Sequence, residues 1–338
     1  MGTKENLPLK KALVTGGGGF VGKAIVKRLA GSGVETRVIG RNNYPDLEAA
    51  GVECIVGSIT DPAAMACAVE GVEVVFHVAA LAGIWGPWKD YYSTNVLGTS
   101  SVLSACKNAK VPSLVYTSTP SVVFNREDIE EGSEDLEYAS CFLCHYAKSK
   151  VIAEKMVLQA ASTQLKTCAI RPHLIWGPGD PHLLPRILES GRQGLLKRVG
   201  TGHNFVDISY IDNVAEAHIL AAKNLQTSGS ANGNAYFIGQ DEPVNLWNWI
   251  DDLFIRMGVD AIEKSVPFST AYKVGWILEK IFLLFRIRQQ PRMTRFLAEQ
   301  LAKSHYFSKD RARNDLGYKE IVTTEEGLRR TVEWLKKR

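Results

Sequence analysis

Lys11-Ala-Leu-Val-Thr-Gly-Gly-Gly-Gly-Phe-Val-Gly22 is the stretch that decides the fold of this chain. Its first five residues form a short apolar run, typical of a strand buried in a parallel sheet. Gly16, Gly19 and Gly22 have the spacing of a dinucleotide-binding loop: they permit a tight turn, a close backbone approach to a pyrophosphate, and packing of the next helix against the strand. The phosphates of a dinucleotide would then lie at the N-terminus of that helix, where free N–H groups point outward.

Short apolar runs and amphipathic helices continue to alternate beyond this loop. The alternation predicts an α/β fold with a doubly wound parallel sheet of the Rossmann type. The predicted strands are 11–15, 36–39, 52–56, 72–79, 114–117 and 167–171, and the predicted helices are 21–30, 90–108 and 146–160.

After Pro172 the alternation breaks at the turn-rich segment 177–181. A further helix is predicted over 211–224, with Asp212 as its N-cap, and a further strand over 235–238. We expect these two elements to rejoin the nucleotide domain. The predicted division is a dinucleotide-binding domain of residues 1–177, to which 211–239 returns, a smaller substrate domain of 178–210 and 240–320, and a C-terminal helix over 321–338.

The bulk properties are those of a globular enzyme. The chain has 338 residues, 45% of them hydrophobic and 22% charged. Its net charge of +4, with no dense basic run before Lys336-Lys337-Arg338, indicates no nucleic-acid partner. Residues 1–8 contain no apolar signal-peptide core, and six cysteines without a disulfide framework favour a reducing cytoplasm. The lone pair Cys141 and Cys144 lacks the second pair that a metal site would need, so no metal is predicted.

The segment 271–288, Ala-Tyr-Lys-Val-Gly-Trp-Ile-Leu-Glu-Lys-Ile-Phe-Leu-Leu-Phe-Arg-Ile-Arg, is apolar with a narrow polar stripe. It is too short and too charged to span a bilayer. We interpret it as a helix packed over the substrate pocket or at a dimer interface. The alternative is peripheral membrane contact through Trp276, Phe282 and Phe285.

The end of the second predicted strand bears on the choice of cofactor. An NAD enzyme usually carries Asp or Glu there, to bind the ribose hydroxyls. Gly40 removes that carboxylate, and the guanidinium of Arg41 suits a 2′-phosphate. The pattern favours NADP(H) over NAD(H); the alternative is that Arg41 is a solvated surface residue.

Tyr146 and Lys150, in Tyr146-Ala-Lys-Ser-Lys150, lie on one face of a predicted helix. A nearby cation stabilises a phenolate, so the tyrosine can exchange a proton closer to neutral pH. This is the acid/base pair expected of an enzyme that transfers hydride to or from a carbonyl carbon. The spacing is common in helices, so its weight comes from the glycine loop earlier in the chain.

Seven motifs spread over nearly the whole chain occur together. They are the glycine loop, Phe76-His-Val-Ala-Ala80, Asn95-Val-Leu-Gly-Thr99, Tyr116-Thr-Ser-Thr119, the Tyr146/Lys150 pair, Arg171-Pro-His-Leu-Ile-Trp-Gly-Pro-Gly-Asp180 and Tyr210-Ile-Asp-Asn213. In this combination they resemble the extended short-chain dehydrogenase/reductases, and within them the 3β-hydroxysteroid dehydrogenase branch. Segments 82–88, 116–123 and 176–186 carry a narrower resemblance, to the bacterial 2-alkyl-3-oxoalkanoate reductases of olefin biosynthesis.

The resemblance implies catalytic roles. Tyr146 would protonate the carbonyl oxygen as hydride arrives from the nicotinamide, and Lys150 would hold the nicotinamide ribose and lower the pKa of Tyr146. Thr119 stands where serine is usual and would donate a hydrogen bond to the substrate oxygen, with Ser118 as the fallback. Asn95 matches an asparagine that positions a proton-relay water; the alternative is a polar residue that pins a helix.

The cofactor-binding residues expected from the loop, the second strand and the resemblance are Gly16, Gly19, Phe20, Val21, Gly22, Arg41, Ser58, Ile59, Ala79, Ala80, Lys150 and Pro172. Ser58 replaces an aspartate that is usual in the family, and we expect it still to hydrogen-bond the adenine. Pro120-Ser121 replaces the acidic residues that sugar-nucleotide dehydratases carry after the threonine, which argues against elimination chemistry.

Four further residues are expected on the substrate side. Trp85 and Trp88 follow the fourth strand, where an open parallel sheet binds ligands, and could wall an alkyl chain. His182 and Arg186 could hold a substrate carboxylate, the alternative being an ordinary surface helix.

The sequence therefore predicts a cytoplasmic NADPH-dependent reductase of lipid-like 2-alkyl-3-oxo acids. A 3β-hydroxysteroid or sterol-4-carboxylate dehydrogenase using the same residues is the alternative enzyme. A non-catalytic NADP-sensing regulator is the alternative of another class, and the Tyr146/Lys150 pair argues against it. The resemblance also implies a homodimer.

Overall fold

The computed structural model describes residues 9–337. Residues 1–8, on which the expected lack of a signal peptide rests, and Arg338 of the basic tail lie outside the described part. The strands are β1 (Lys11–Thr15), β2 (Glu35–Gly40), β3 (Glu53–Val56), β4 (Val74–His77), β5 (Ser113–Thr117), β6 (Ile129–Gly132), β7 (Lys166–Pro172), β8 (Ile175–Trp176), β9 (Arg198–Val199), β10 (Phe205–Val206), β11 (Ser209–Tyr210), β12 (Ala235–Ile238), β13 (Val244–Asn245), β14 (Ser265–Val266) and β15 (His305–Phe307).

The helices are α1 (Phe20–Gly31), α2 (Pro45–Glu48), α3 (Pro62–Val69), α4 (Trp88–Tyr91), α5 (Gly98–Asn108), α6 (His145–Gln159), α7 (Leu183–Arg192), α8 (Ile211–Gln226), α9 (Leu246–Arg256), α10 (Phe268–Leu284), α11 (Arg295–Ala302), α12 (Asp310–Leu316) and α13 (Thr324–Lys336). A π-helical stretch (Tyr92–Leu97) joins α4 to α5, and a 3₁₀ turn (Pro120–Val122) follows β5.

The main sheet has seven parallel strands in the order β12-β7-β5-β4-β1-β2-β3. Helices cover both of its faces. Val26 of α1 and Ala222 of α8 belong to the core on one face, whereas Met65 of α3, Val102 of α5 and Val157 of α6 belong to the core on the other. The predicted doubly wound sheet is thus confirmed, and its strand order brings the carboxyl ends of β1, β4, β5 and β7 to one edge.

Two glycines of the loop after β1 are required by space. Gly16 has φ +69°, and a Cβ there would lie 2.9 Å from the Cα of Ala79. A Cβ at Gly22 would overlap the carbonyl oxygen of Gly16. These contacts let α1 pack tightly against the start of the sheet, as the glycine spacing predicts.

Two local predictions need correction. The helix predicted over 90–108 is present, but residues 92–97 within it are π-helical, and Asn95 of this stretch bonds the backbone of a neighbouring loop. Asp212 is not an N-cap: β11 runs directly into α8, so Tyr210 takes that position without a side-chain cap. Asp212 instead lies 3.6 Å from Arg330, measured from Oδ2 to Nη1.

A smaller sheet of the order β13-β10-β15-β6 and an aromatic core lie beside the main sheet. Trp176, Trp247 and Phe254 belong to this core and are almost completely buried. β6 precedes α6 in the chain, and α12 packs on α8 and β12 of the main sheet. The proposed domain boundaries stay a prediction.

Helix α10 contains most of the segment 271–288. Its Ala271 and Val274 face the large cavity described below, and Gly275 packs against the backbone at Thr294. The opposite surface exposes apolar side chains, namely Trp276, Ile277, Ile281, Leu283, Leu284 and, just beyond the helix, Phe285. Among residues 9–337, no helix is long and apolar enough to cross a membrane.

Candidate active site

A cavity of ≈ 1310 Å³ opens at the carboxyl edge of the main sheet. All the predicted cofactor-binding residues line it: Gly16, Gly19, Phe20, Val21, Gly22, Arg41, Ser58, Ile59, Ala79, Ala80, Lys150 and Pro172. Tyr146, Thr119, Ser118, His182 and Arg186 line the same cavity. Asn95, Trp85 and Trp88 are not among its lining residues. The fold therefore brings the glycine loop and the Tyr146/Lys150 pair into one space.

Lys150 is held in the interior of the site. Its side chain is 1% exposed, its Nζ donates a 2.6 Å hydrogen bond to the carbonyl oxygen of Thr117, and the same atom lies 4.0 Å from the ring centroid of Tyr116. Burial lowers the pKa of Lys150 to about 7, although the charge of Glu154 acts in the opposite direction. The amine can therefore change its charge near neutral pH.

Tyr146 lies on the same helix and is half-buried. Burial raises the pKa of its phenol well above the usual value, and a hydrogen bond with the side chain of Thr119 acts to lower it. The ammonium of Lys150 is engaged by a backbone carbonyl. The effect of Lys150 on the pKa of Tyr146 stays a prediction.

Thr119 and Ser118 differ in their surroundings. The Thr119 hydroxyl contacts the phenol of Tyr146 and donates to the hydroxyl of Ser121 at 3.2 Å. The Ser118 hydroxyl is buried and has no hydrogen-bond partner among the described residues. Of the two hydroxyls, that of Thr119 is therefore the one that lies beside the phenol of Tyr146.

Asn95 connects three parts of the site. Its Oδ1 accepts a hydrogen bond from the backbone N–H of Leu81 at 2.7 Å, and its Nδ2 donates to the Leu81 carbonyl oxygen and to the hydroxyl of Ser149. That hydroxyl donates in turn to the carbonyl oxygen of Tyr146 at 2.7 Å. These contacts fit the alternative in which Asn95 pins α6 and the loop after β4.

His77 shapes the cofactor side of the cavity. The Thr99 hydroxyl donates to the backbone carbonyl oxygen of Asn95, so it can only accept from His77 Nε2–H, at 2.9 Å. The other ring nitrogen, Nδ1, therefore accepts a hydrogen bond from the hydroxyl of Thr15. The Thr15 hydroxyl oxygen also accepts hydrogen bonds from the backbone N–H groups of residues 78 and 79, both at 3.1 Å. Burial lowers the pKa of His77 to about 3, so the ring is a neutral structural connector.

The cofactor side fits a dinucleotide phosphate. No side chain caps the N-terminus of α1, so its first N–H groups remain available at the glycine loop. Arg41 is exposed, lines the cavity and has no carboxylate partner among the described residues. The phenol of Tyr44, a residue that the sequence did not single out, lies over Gly18 and Gly40 and would clash with a side chain at either position. Therefore no carboxylate can replace Gly40 without displacing that ring.

The substrate side is cationic and apolar. None of the described residues that line the cavity is Asp or Glu. Arg186 Nη1 donates to Gln290 Oε1 at 3.3 Å, and Lys197 and Arg292 also line this part. Much of the remaining lining is apolar, with leucine, isoleucine and valine side chains, Trp249, Met293 and Phe296. The chamber suits an anionic molecule with a long apolar portion.

The two tryptophans lie beside the cavity. The indole N–H of Trp85 donates to the carbonyl oxygen of Ile287 at 3.2 Å, and its ring meets Phe282 edge-on. Trp88 packs near Tyr92, and the ammonium of Lys148 makes a cation–π contact with it, 4.8 Å from the ring centroid.

A family model and three related proteins match most of this chain. The family model described as the 3-beta hydroxysteroid dehydrogenase/isomerase family matches residues 13–268. The 2-alkyl-3-oxoalkanoate reductase of Shewanella oneidensis is 47% identical over 94% of this chain and 84% of its own length. That of Stenotrophomonas maltophilia is 45% identical over 95% of this chain and 98% of its own. The mouse sterol-4-alpha-carboxylate 3-dehydrogenase (decarboxylating) is 32% identical over 98% and 92%.

Solved structures share the fold. That of gox2253 has a TM-score of 0.76 at 27% identity, with 97% of this chain and 98% of the other covered. MoeE5 in complex with UDP-glucose and NAD has a TM-score of 0.71 at 22% identity, with 97% and 99% covered. The second likeness supports the fold alone.

Proposed function

The chain belongs to the 3-beta hydroxysteroid dehydrogenase/isomerase family, and from this premise we propose that it reduces 2-alkyl-3-oxoalkanoic acids to 2-alkyl-3-hydroxyalkanoic acids with NADPH. It is an oxidoreductase that acts on CH–OH and C=O groups. The observation that carries the proposal is one cavity without carboxylates, in which the cofactor loop and Tyr146/Lys150 adjoin an apolar chamber. Two relatives named 2-alkyl-3-oxoalkanoate reductase, 45% and 47% identical, support the choice of substrate.

In the proposed reaction Tyr146 donates its phenolic proton to the carbonyl oxygen of the substrate, and Thr119 donates a hydrogen bond to the same oxygen. Bound NADPH supplies the hydride that reduces the carbonyl carbon. Lys150 then stabilises the phenolate by its positive charge and holds the nicotinamide ribose. Asn95 keeps α6 in register through Ser149, so that Tyr146 and Lys150 face the substrate.

The assay for this function follows NADPH oxidation with a long-chain 2-alkyl-3-oxo acid, beside NAD(P) reduction with a 3β-hydroxysteroid. The sterol-4-alpha-carboxylate 3-dehydrogenase relative, 32% identical, makes the steroid reaction the second candidate. We expect turnover of the keto acid. Oxidation of the steroid without turnover of the keto acid would reverse the ranking.

The position of Arg41 supports a preference for NADPH over NADH, and the variant Arg41→Ala tests it. The unpaired guanidinium at the cavity would bind the 2′-phosphate, and loss of a charge-assisted hydrogen bond is expected to raise the KM for NADPH about 10- to 100-fold in Arg41→Ala. The KM for NADH should change little. Arg192→Ala, which removes an exposed guanidinium outside the cavity, is the matched control. An unchanged KM for NADPH in Arg41→Ala contradicts the preference.

The remaining proposals concern the setting of the enzyme. All six cysteines are free, which supports the proposed reducing cytoplasm. A role in olefin biosynthesis follows from the proposed substrate.

The exposed apolar surface of α10 supports a homodimer, because monomers rarely leave such a patch uncovered. Analytical ultracentrifugation should give twice the chain mass; a monomer that instead sediments with lipid vesicles would favour peripheral membrane contact.

A further inference from the structure

A pair of buried histidines borders the cavity and has no part in the chemistry proposed so far. His173 follows β7, and His305 begins β15. The two rings meet with His173 Nε2 at 2.6 Å from His305 Nδ1, and His305 Nε2 lies 3.0 Å from the carbonyl oxygen of Gln300. Both histidines are less than a tenth exposed, and both line the cavity.

The hydrogen bonds fix which nitrogen of each ring carries a proton. A carbonyl oxygen can only accept, so His305 Nε2 is protonated and donates to Gln300. His305 Nδ1 must then accept from His173 Nε2–H. This leaves His173 Nδ1 as a bare acceptor, and none of residues 9–337 makes a hydrogen bond to it. The pair therefore offers one protonatable nitrogen to the cavity.

This nitrogen lies near the reaction site. β5 and β7 are adjacent parallel strands with Thr117 opposite Ile170, so Thr119 and His173, two and three residues further along, leave the same edge of the sheet. The His305 ring lies 6.2 Å from that of Phe124, and Phe124 belongs to the apolar cluster against which Tyr146 packs. The pair thus borders the space in which the substrate carbonyl would bind.

The chemistry of a 3-oxo acid requires a partner at this position. The carboxyl carbon and the ketone carbon are separated by two bonds, about 2.5 Å apart, so a carboxylate must bind beside the ketone. Removal of a carboxylate from water is costly unless a hydrogen-bonding partner of opposite charge meets it. Arg186 is bonded to Gln290 on the α7 side of the cavity and is exposed.

We propose that His173, supported by His305, is the carboxylate-binding group of this enzyme, and that one proton is taken up as the carboxylate binds. The inference rests on the proposed function. Nδ1 gains the proton from solvent and donates it in a hydrogen bond to the carboxylate oxygen. No covalent bond forms or breaks. Reducible ketones that lack the carboxyl group would not use this contact.

Charges around the pair agree with proton uptake on binding. Burial lowers the pKa of both histidines, so the pair is neutral before the substrate enters. Asp128, which accepts from the N–H of Ser304, has the opposite effect on His305. Asp207, which follows β10, and Lys309, which lies just beyond β15, pair with each other at 2.7 Å, and Lys150 and Tyr146 of α6 line the same cavity. An incoming carboxylate favours the protonated ring.

The test compares a 2-alkyl-3-oxo acid with the ketone of the same chain length that lacks the carboxyl group. In His173→Gln the side-chain amide can still bond His305 but cannot be protonated. We expect its KM for the acid to rise about 10- to 100-fold, with the KM for the ketone nearly unchanged. In the wild type the KM for the acid should rise with pH, and this dependence should vanish in the variant. His203→Gln, at an exposed site outside the cavity, should match the wild type.

An unchanged ratio of the two KM values in His173→Gln contradicts the proposal, and a loss of acid preference in Arg186→Gln alone would move the site to the arginine. Proton uptake on binding of the 2-alkyl-3-hydroxy acid product, measured by calorimetry in two buffers, needs no variant: about one proton is expected, and none refutes the proposal. Turnover of neither acid nor ketone would instead contradict the proposed function.

Discussion

Tyr146→Phe is expected to lower kcat about 10³-fold, because general acid catalysis by a positioned side chain contributes 10²- to 10⁴-fold. Phenylalanine keeps the ring that packs with Phe124 and Phe296 and removes only the hydroxyl next to Thr119. The fold and the affinity for NADPH should therefore remain. Steady-state turnover of the keto acid, with cofactor binding followed by fluorescence, measures both.

Tyr92→Phe is the matched control for this change. Its ring lies outside the cavity against Trp88, so its loss of a hydroxyl should leave kcat unchanged. Retention of more than about a tenth of wild-type kcat in Tyr146→Phe would show that another group donates the proton.

Lys150→Met is expected to reduce kcat by about 10²-fold or more, since it removes the charge that stabilises the phenolate. Its effect on stability should be favourable: near neutral pH the substitution should raise the free energy of unfolding. Burial lowers the pKa of Lys150 from 10.5 in the unfolded chain to about 7 in the folded one. Between these values the unfolded state binds more protons, so folding becomes more stable as pH rises, by up to about 1.4 kcal/mol per pH unit.

The cofactor-free variant should lack this gain between pH 7 and 10 and should be the more stable protein at the lower end of the range. Urea unfolding at several pH values measures the difference between the two proteins. Lys148→Met, which changes an exposed lysine on the same helix, should behave as the wild type. Parallel curves for wild type and Lys150→Met would show that Lys150 keeps its ordinary pKa when folded.

The features that the sequence predicts correctly are those encoded locally. The glycine loop and the helical Tyr146/Lys150 spacing each lie within a few residues, and short-range geometry determines them. The strand runs are similarly contiguous, so the parallel sheet follows from the pattern of apolar residues.

Features that depend on distant contacts could not be predicted in this way. His173 and His305 are 132 residues apart, and no pattern in either segment indicates that their rings meet. The position of Trp85 after β4 gives no indication that its indole N–H donates to the carbonyl oxygen of Ile287, 202 residues away. Arg292 also reaches the cavity only through the path that the chain takes after α10.

Transfer of deuterium tests the central claim most directly. The enzyme would be supplied with NADPH deuterated at the transferable C4 position and with a 2-alkyl-3-oxo acid, and the acid product would be examined by mass spectrometry. The account predicts a 2-alkyl-3-hydroxy acid with one deuterium on C3 from the wild type and almost none from Tyr146→Phe. Unlabelled product, or recovery of the keto acid intact while a steroid is oxidised, would contradict it.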